Sequence, residues 1–502
     1  MAHIAFHGIL DSLERHPDRI AIIDKNGQSY TYGEFKQYIT GARAELVKRG
    51  VVKGSKVLVF VPMSMELYAL LEALFSLGAT AIFLDPWMKG KKMGSVIKQV
   101  EPDLFIVTKK IARFSWLLSA TWKLKKWKLD TINPSNDDWI IDEVSDLDNA
   151  LITFTSGTSG KPKGANRTFA FLYAQASTLE DHLKGNTDDA CVDFTNFPIV
   201  GLADFSVGNT VVIPRINLMK IQDADSDQLV RHIHAMAVSR IIVSPSLLKK
   251  VVDGMNVNGH GAIEDIMTGG APISNQLIKD CVEKHLEIKF EAIYGSTEAE
   301  PICLSPFQAI LDSTTHPLDG VYVGVPVDDV EVCILNHLKG PVDVTYFESN
   351  QLSDQEIGEV VVTGEHVNKN YYKNKKAFEE AKIIDAHNVI WHRTGDMGYF
   401  KQGRLYLVGR DHRILEKDGK NIYPYPIEQE VEMKFGLNDV GYIQNSEGHF
   451  VMHLGAAENA DIEEIKAHIL HVAYPCDEVK AHRKALPRDA RHKSKLLSEE
   501  LA

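Results

Sequence analysis

Short, unbroken apolar runs alternate with longer amphipathic stretches through most of the chain. Val57-Leu58-Val59-Phe60-Val61 is followed by a helical pattern from Ser64 to Leu77 and by a second apolar run from Ala79 to Leu84, and Leu104 to Thr108 supplies another. Runs that are apolar at every position, rather than at alternate ones, suit strands buried on both faces, and the helical segments between them predict parallel βαβ units. The pattern returns near Thr210 to Ile213, Arg240 to Val243 and Ile288 to Ile293. Together these elements predict an α/β architecture with sheets covered on both sides. From Val321 the texture changes. V-Y-V-G-V-P-V-D-D-V-E-V-C-I-L and G-E-V-V-V-T-G alternate and are punctuated by glycine, which predicts an antiparallel β subdomain. No internal repeat is visible.

At 502 residues the chain is too long for one ordinary core, so a large domain of more than one lobe plus a smaller one is expected. A net charge of −13 argues against nucleic acid as a partner. The five cysteines, Cys191, Cys281, Cys303, Cys333 and Cys476, are scattered with no C-x-x-C pair, which fits a reducing cytoplasm and offers no metal site. The first residues lack the basic-then-apolar order of a signal peptide. The most apolar window, Leu67 to Leu84, contains Glu72 and Gly78 and is expected to be a buried helix followed by a strand, so no membrane span is predicted. One stretch is unusual. Lys109 to Lys128 holds seven basic residues, no acidic ones and three of the six tryptophans. On a helix Ile111, Phe114, Leu118 and Trp122 would share a face, giving either a peripheral membrane contact or a helix packed on its own domain with a solvated basic edge.

The candidate chemistry lies in four stretches. The apolar run Leu151 to Phe154 leads into T-S-G-T-S-G-K-P-K-G, residues 155–164. Glycines allow backbone N–H groups to approach an anion, hydroxyls donate further, and Lys161 and Lys163 add charge, so the loop can hold phosphate. It is not a Walker A loop, and alone it is equally a surface turn. Gly269-Gly270-Ala271-Pro272 follows the apolar Ile266-Met267, and Tyr294-Gly295-Ser296-Thr297-Glu298 again follows a strand, where ligands of open α/β sheets collect. Trp391-His392-Arg393-Thr394-Gly395-Asp396, with Gly409-Arg410 just beyond it, is the fourth.

In this order the four stretches resemble the adenylate-forming superfamily of acyl-CoA synthetases, luciferases and peptide-synthetase adenylation domains. The resemblance implies a large N-terminal domain of two α/β sheet lobes plus a β subdomain, residues 1–410, and a small mobile α+β C-terminal domain, residues 411–502. It implies ATP and Mg²⁺ as cofactors. Thr155, Ser156, Gly157, Thr158, Ser159, Gly160 and Lys163 would hold phosphate, and Gly270, Ala271 and Pro272 would lie against adenine. Tyr294 would stack on the adenine beside Gly295 and Ser296, Thr297 would reach the α-phosphate, and Glu298 would ligate Mg²⁺. Asp396 would grip both ribose hydroxyls, and Arg410 would stand near the phosphates. A lysine near the chain end would reach the scissile anhydride. Lys495 is assigned that role, with Lys493 its rival.

Two departures from the superfamily pattern narrow the choice. Gly201 stands where many members have His, and His412 occupies the hinge position usually held by Asp or Lys. With W-H-R-T-G-D-M-G-Y-F and R-D-A-R-H-K-S-K-L, these features resemble the olefin β-lactone synthetase branch most. That branch implies a long-chain β-hydroxy carboxylic acid as the small-molecule substrate, with Gly201 leaving room for a second alkyl branch. Fatty acid–CoA ligation, with CoA as a further substrate, is the alternative. A nucleotide-binding protein without catalysis is the remote one.

Overall fold

The strand Lys56–Phe60 shows why the apolar runs form as they do: Val57 and Val59 join one core cluster while Leu58 joins another on the opposite face. Leu104 and Ile106 divide from Phe105 and Val107 in the same way. Each strand thus buries both of its sides, as the absence of alternation in the sequence requires. The computed structural model describes residues 7–85, 88, 90–113, 121–155, 162–184, 190–313, 316–488, 496–497 and 500–501. The chain divides into two compact units. The first comprises residues 1–267, 296–301 and 364–382, and the second residues 268–295, 302–363 and 383–502.

In the first unit one sheet runs in the order Lys126–Leu129, Leu104–Thr108, Lys56–Phe60, Thr80–Leu84, Asn149–Thr155, Lys163–Thr168. Neighbours are parallel except for the last pair, an antiparallel hairpin whose connection is the expected phosphate loop. A second sheet path runs Arg240–Val243, Val192–Thr195, Thr210–Val212, Ile20–Ile23 in parallel, with Ser29–Thr31 antiparallel at its edge. The helices Tyr32–Lys48 and Met65–Ser76 share a core cluster with strands of both sheets. The first helix starts at a capping box: Thr31 Oγ1 accepts from the Glu34 N–H at 3.1 Å, and the Glu34 carboxylate accepts from the Thr31 N–H at 2.8 Å.

In the second unit Gly358–Gly364, Ile390–Lys401, Arg404–Arg410 and Val321–Pro326 pair antiparallel in sequence of contact, which is the expected β subdomain. Farther along, Val440–Gln444 and Phe450–Leu454 pair antiparallel and Glu478–Ala481 adds in parallel. The helices Pro424–Phe435 and Ile462–His471 close this sheet over a core of Ile427, Val431, Tyr442, Met452, Ile465 and Ile469. The α/β class stands, with an α+β arrangement at the C-terminal end. The cut expected after Arg410 falls inside the second unit.

The Lys109 to Lys128 helix is corrected. Among the described residues of this stretch Lys109–Ala112 is α-helical and Lys126–Leu129 is an edge strand, while residues 114–120 lie outside the described set. Lys126 and Lys128 alternate with Trp127 and Leu129, so the period is two, and Trp127 is buried under the Arg49 guanidinium, 4.4 Å from its ring centre. Trp122 alone of the described tryptophans in this stretch faces outward, at 63% exposure. Among the described residues no helix is long and apolar enough to cross a membrane.

Candidate active site

The division between the units falls inside Tyr294-Gly295-Ser296-Thr297-Glu298, so each half of the expected site is described within its own unit. In the first unit, Thr155 ends the strand that enters the phosphate loop and Lys163 opens the strand that leaves it, the two being paired across the hairpin. Ser156, Gly157, Thr158, Ser159, Gly160 and Lys161 lie outside the described residues. Gly164 needs to be glycine here, because a Cβ would sit 2.7 Å from the Phe154 ring. Arg167, three residues farther along the same strand, sends its guanidinium to the Thr297 carbonyl at 2.9 Å. That bond ties the Thr297-Glu298 stretch to the strand leaving the loop.

Glu298 is the hard-oxygen group in this half. Its Oε1 accepts from the Tyr371 hydroxyl at 3.0 Å, and its backbone carbonyl accepts from the Asn368 N–H at 2.7 Å. Burial, reinforced by the Glu298 carboxylate, pushes the Tyr371 phenol far above its ordinary range. Lys382, 3% exposed, donates to the Asn368 carbonyl. Burial pulls its ammonium down to about 7 against the opposing attraction of Glu298. Among the described residues no cluster of three or more His, Cys, Asp or Glu could cage a metal ion. A single carboxylate beside a hydroxyl residue suits Mg²⁺ instead, which keeps most of its shell as water and substrate phosphate. The residues present therefore fit the cation. Tyr371, Lys382, Asn368 and Arg167 were not visible as site residues in the sequence, since their partners are far away along the chain and no motif marks them.

In the second unit Asp396 and Arg410 stand directly opposite each other on antiparallel strands, and Arg410 Nε lies 2.6 Å from Asp396 Oδ1. The other carboxylate oxygen accepts from the Tyr294 hydroxyl at 2.7 Å. Asp396 is 4% exposed, and its charge holds the Arg410 guanidinium firmly protonated. Burial and then Asp396 push the Tyr294 phenol well above its ordinary range. Gly270 follows the strand Asp265–Gly269 with φ +79° and is exposed, Ala271 is half-buried and Pro272 exposed. A Cβ on Gly269 would lie 2.6 Å from the Ile293 carbonyl oxygen, so this turn packs backbone against backbone. His412 sits in the short 3₁₀ turn Asp411–Arg413, its N–H donating to Asp411 Oδ1 at 2.6 Å. Lys493 and Lys495 lie outside the described residues.

The expectation for Gly201 is corrected. It lies on the helix Pro198–Ser206, and the space beside it is filled: a Cβ there would meet the Tyr68 hydroxyl oxygen at 2.2 Å and its ring at 2.7 Å. Tyr68 is fully buried. The missing side chain accommodates a tyrosine rather than an alkyl branch of a substrate.

These elements define an adenylate-forming fold, and the chain belongs to the AMP-binding enzyme family, which it matches over residues 10–372. It is an enzyme of the AMP-forming acid-ligase class. It is similar, at 26% identity, to the olefin beta-lactone synthetase of Stenotrophomonas maltophilia across 77% of this chain and 73% of that one. The 2-succinylbenzoate–CoA ligase of Bacillus cereus (strain Q1) is 25% identical across 97% of this chain and 95% of its own. A nonribosomal peptide synthetase of Emericella nidulans is 24% identical across 92% of this chain, which spans 6% of that protein's length. Among solved structures, the amide bond synthetase of Marinactinospora thermotolerans shares the fold with a TM-score of 0.81 at 17% identity, over 99% of both chains.

Proposed function

We propose that the protein adenylates a long-chain β-hydroxy carboxylic acid with ATP and that the acyl-adenylate closes on its own hydroxyl to give a β-lactone. In the first step a carboxylate oxygen attacks the α-phosphorus and the bond to the β-phosphate breaks, so pyrophosphate leaves. In the second the β-hydroxyl oxygen attacks the acyl carbon, the bond to the AMP oxygen breaks, and the hydroxyl proton passes to solvent. Bound Mg²⁺ would neutralise charge on the phosphate oxygens. Lys163 and Thr297 would bind the phosphates, Glu298 would orient the cation, and Asp396 would hold the ribose with Tyr294 beside the adenine. Lys495 would meet charge building at the anhydride.

The observation that carries adenylation is the Glu298 carboxylate, fixed by Tyr371 within the same unit that presents Lys163 and Thr297. The lactone outcome is supported by the similarity to olefin beta-lactone synthetases. The second reading is a fatty acid–CoA ligase, favoured by the fuller coverage of the CoA-ligase relatives. A peripheral membrane contact through the exposed Trp122 and the lysines around it would bring the enzyme to lipid-derived acids in the cytoplasm.

Mass analysis of products from ATP and a long α-alkyl-β-hydroxy acid, with and without CoA, separates the readings. Lactone, AMP and pyrophosphate are expected in equal amounts whether or not CoA is present. A thioester mass, with AMP release that depends on CoA, would replace the lactone reading with the ligase one.

A further inference from the structure

Three stretches of the first unit meet at Tyr371. Its backbone bridges Ala165 on the strand leaving the phosphate loop, and the next N–H, that of Tyr372, donates to the Gly164 carbonyl at 2.9 Å. Slightly earlier in the same segment, Val367 bridges Ala299, and the Asn368 side chain donates to the Asn166 carbonyl at 2.6 Å. The segment is thereby stitched both to the exit of the phosphate loop and to the strand that follows Glu298. At the junction stands the Tyr371 hydroxyl, 3.0 Å from Glu298 Oε1, on a ring only 3% exposed. Two ammonium groups flank that ring: Lys382 Nζ is 5.4 Å and Lys163 Nζ 5.8 Å from its centre.

We propose that Tyr371, backed by Lys382, is a positioning residue that fixes the Glu298 carboxylate for the divalent cation carried on ATP, an inference that rests on Glu298 being that cation's ligand. A glutamate side chain has three rotatable bonds, and a ligand left to wander loses affinity to its own entropy. A hydrogen bond to one carboxylate oxygen fixes the plane of the group, so the other is presented in one orientation. The hydroxyl can do this only if the ring itself is fixed. The backbone bridge to Ala165 fixes one end of the residue, and Lys163, joined by Lys382 when that is protonated, flanks the ring and holds its π face by cation–π attraction. Because Lys163 also belongs to the phosphate loop, the same ring sets the separation between a phosphate-binding cation and a metal-binding carboxylate.

The test uses Mn²⁺ in place of Mg²⁺, titrated by electron paramagnetic resonance into the full chain saturated with a non-hydrolysable ATP analogue. Tyr371→Phe keeps the ring and removes only the hydroxyl. The Mn²⁺ dissociation constant should rise by about tenfold, the low end for loss of a partner that orients a metal ligand. In pyrophosphate exchange, the Mg²⁺ concentration for half-maximal rate should rise more than the rate at saturating Mg²⁺ falls. A residue that merely supports the fold would lower thermal stability and rate while leaving the Mn²⁺ constant at its parental value, and that outcome overturns the proposal. Glu298→Gln serves as the control. If it weakens Mn²⁺ and Tyr371→Phe does not, only the role of Tyr371 is lost; if Glu298→Gln also leaves Mn²⁺ binding unchanged, the ligand assignment fails first.

Discussion

Replacing Glu72 by glutamine removes an acid from the interior without changing the shape of the side chain. Glu72 lies on the helix Met65–Ser76, 5% exposed, and borders a cavity lined by Phe75, Phe169, Leu172, Ile199 and Leu202. Among the described residues no Lys, Arg or His lines that cavity. Burial alone raises the carboxyl from its ordinary 4.5 to about 8. The folded state then binds a proton that the unfolded state has released throughout the interval between those values. Stability must fall as pH rises across that interval, by about 1.4 kcal/mol per unit. The favourable contribution is complete below pH 4.5 and lost above about 8. Glutamine is neutral throughout and carries no such slope. Glu72→Gln should therefore match the parent near pH 4.5 and exceed it by about 3 kcal/mol at pH 7. Urea midpoints of parent and variant, measured side by side from pH 4.5 to 8.5, read this difference. Parallel curves would show that the carboxyl is ionised in the fold, and the reasoning from burial would be wrong.

Gly201→Ala should destabilise by about 1–3 kcal/mol, as overpacking does, because the Tyr68 hydroxyl occupies the place of the new methyl. Tyr68→Phe should recover part of that loss in a double-mutant cycle, and an additive pair would mean the two residues do not collide. Lys495→Ala should lower pyrophosphate exchange by roughly 10²–10³, the scale for one transition-state donor, with Lys493→Ala much milder. The reverse ranking would transfer the role to Lys493. The protein should sediment with anionic vesicles at low salt and be released at high salt, and Trp122→Ala should weaken the attachment. Full recovery in the supernatant at low salt would leave the basic edge as ordinary solvated surface.

The parallel strands were legible because each is apolar at every position, a pattern that only two covered faces can reward. The strand Lys163–Thr168 was not. Its sequence, K-G-A-N-R-T, carries no apolar run, and it forms because it is the return arm of the phosphate-loop hairpin, pressed by Gly164 against the Phe154 ring. Lys126–Leu129 was misread because lysine and tryptophan in a short window satisfy either period, and only the parallel partner Phe105–Thr108 decides between them. The candidate site was legible where resemblance marked residues in compact motifs. It was not legible where the fold brings groups together from elsewhere: Tyr371 and Glu298 are 73 positions apart, and nothing local to either announces the other. Gly201 shows the converse. An absent side chain in the sequence says that something else is close, and only the fold says that it is Tyr68.

Asp396 and Arg410 were expected to act at different parts of a nucleotide, yet they form one ion pair. Direct opposition on antiparallel strands places such residues within reach of each other before any ligand is considered. One oxygen of Asp396 is ion-paired with the Arg410 guanidinium, and the other accepts a hydrogen bond from the Tyr294 hydroxyl. A carboxylate offers about four acceptor directions, so two protein donors orient the group without exhausting it, and both oxygens can still accept from a diol. Tyr294 thereby joins the surface expected for adenine to the acid expected for ribose through a single hydroxyl. The guanidinium has less latitude, because its Nε is committed to Asp396 and any contact with phosphate must come from the far end of its fork. In this geometry the Arg410 guanidinium is first of all the partner that holds Asp396 in place.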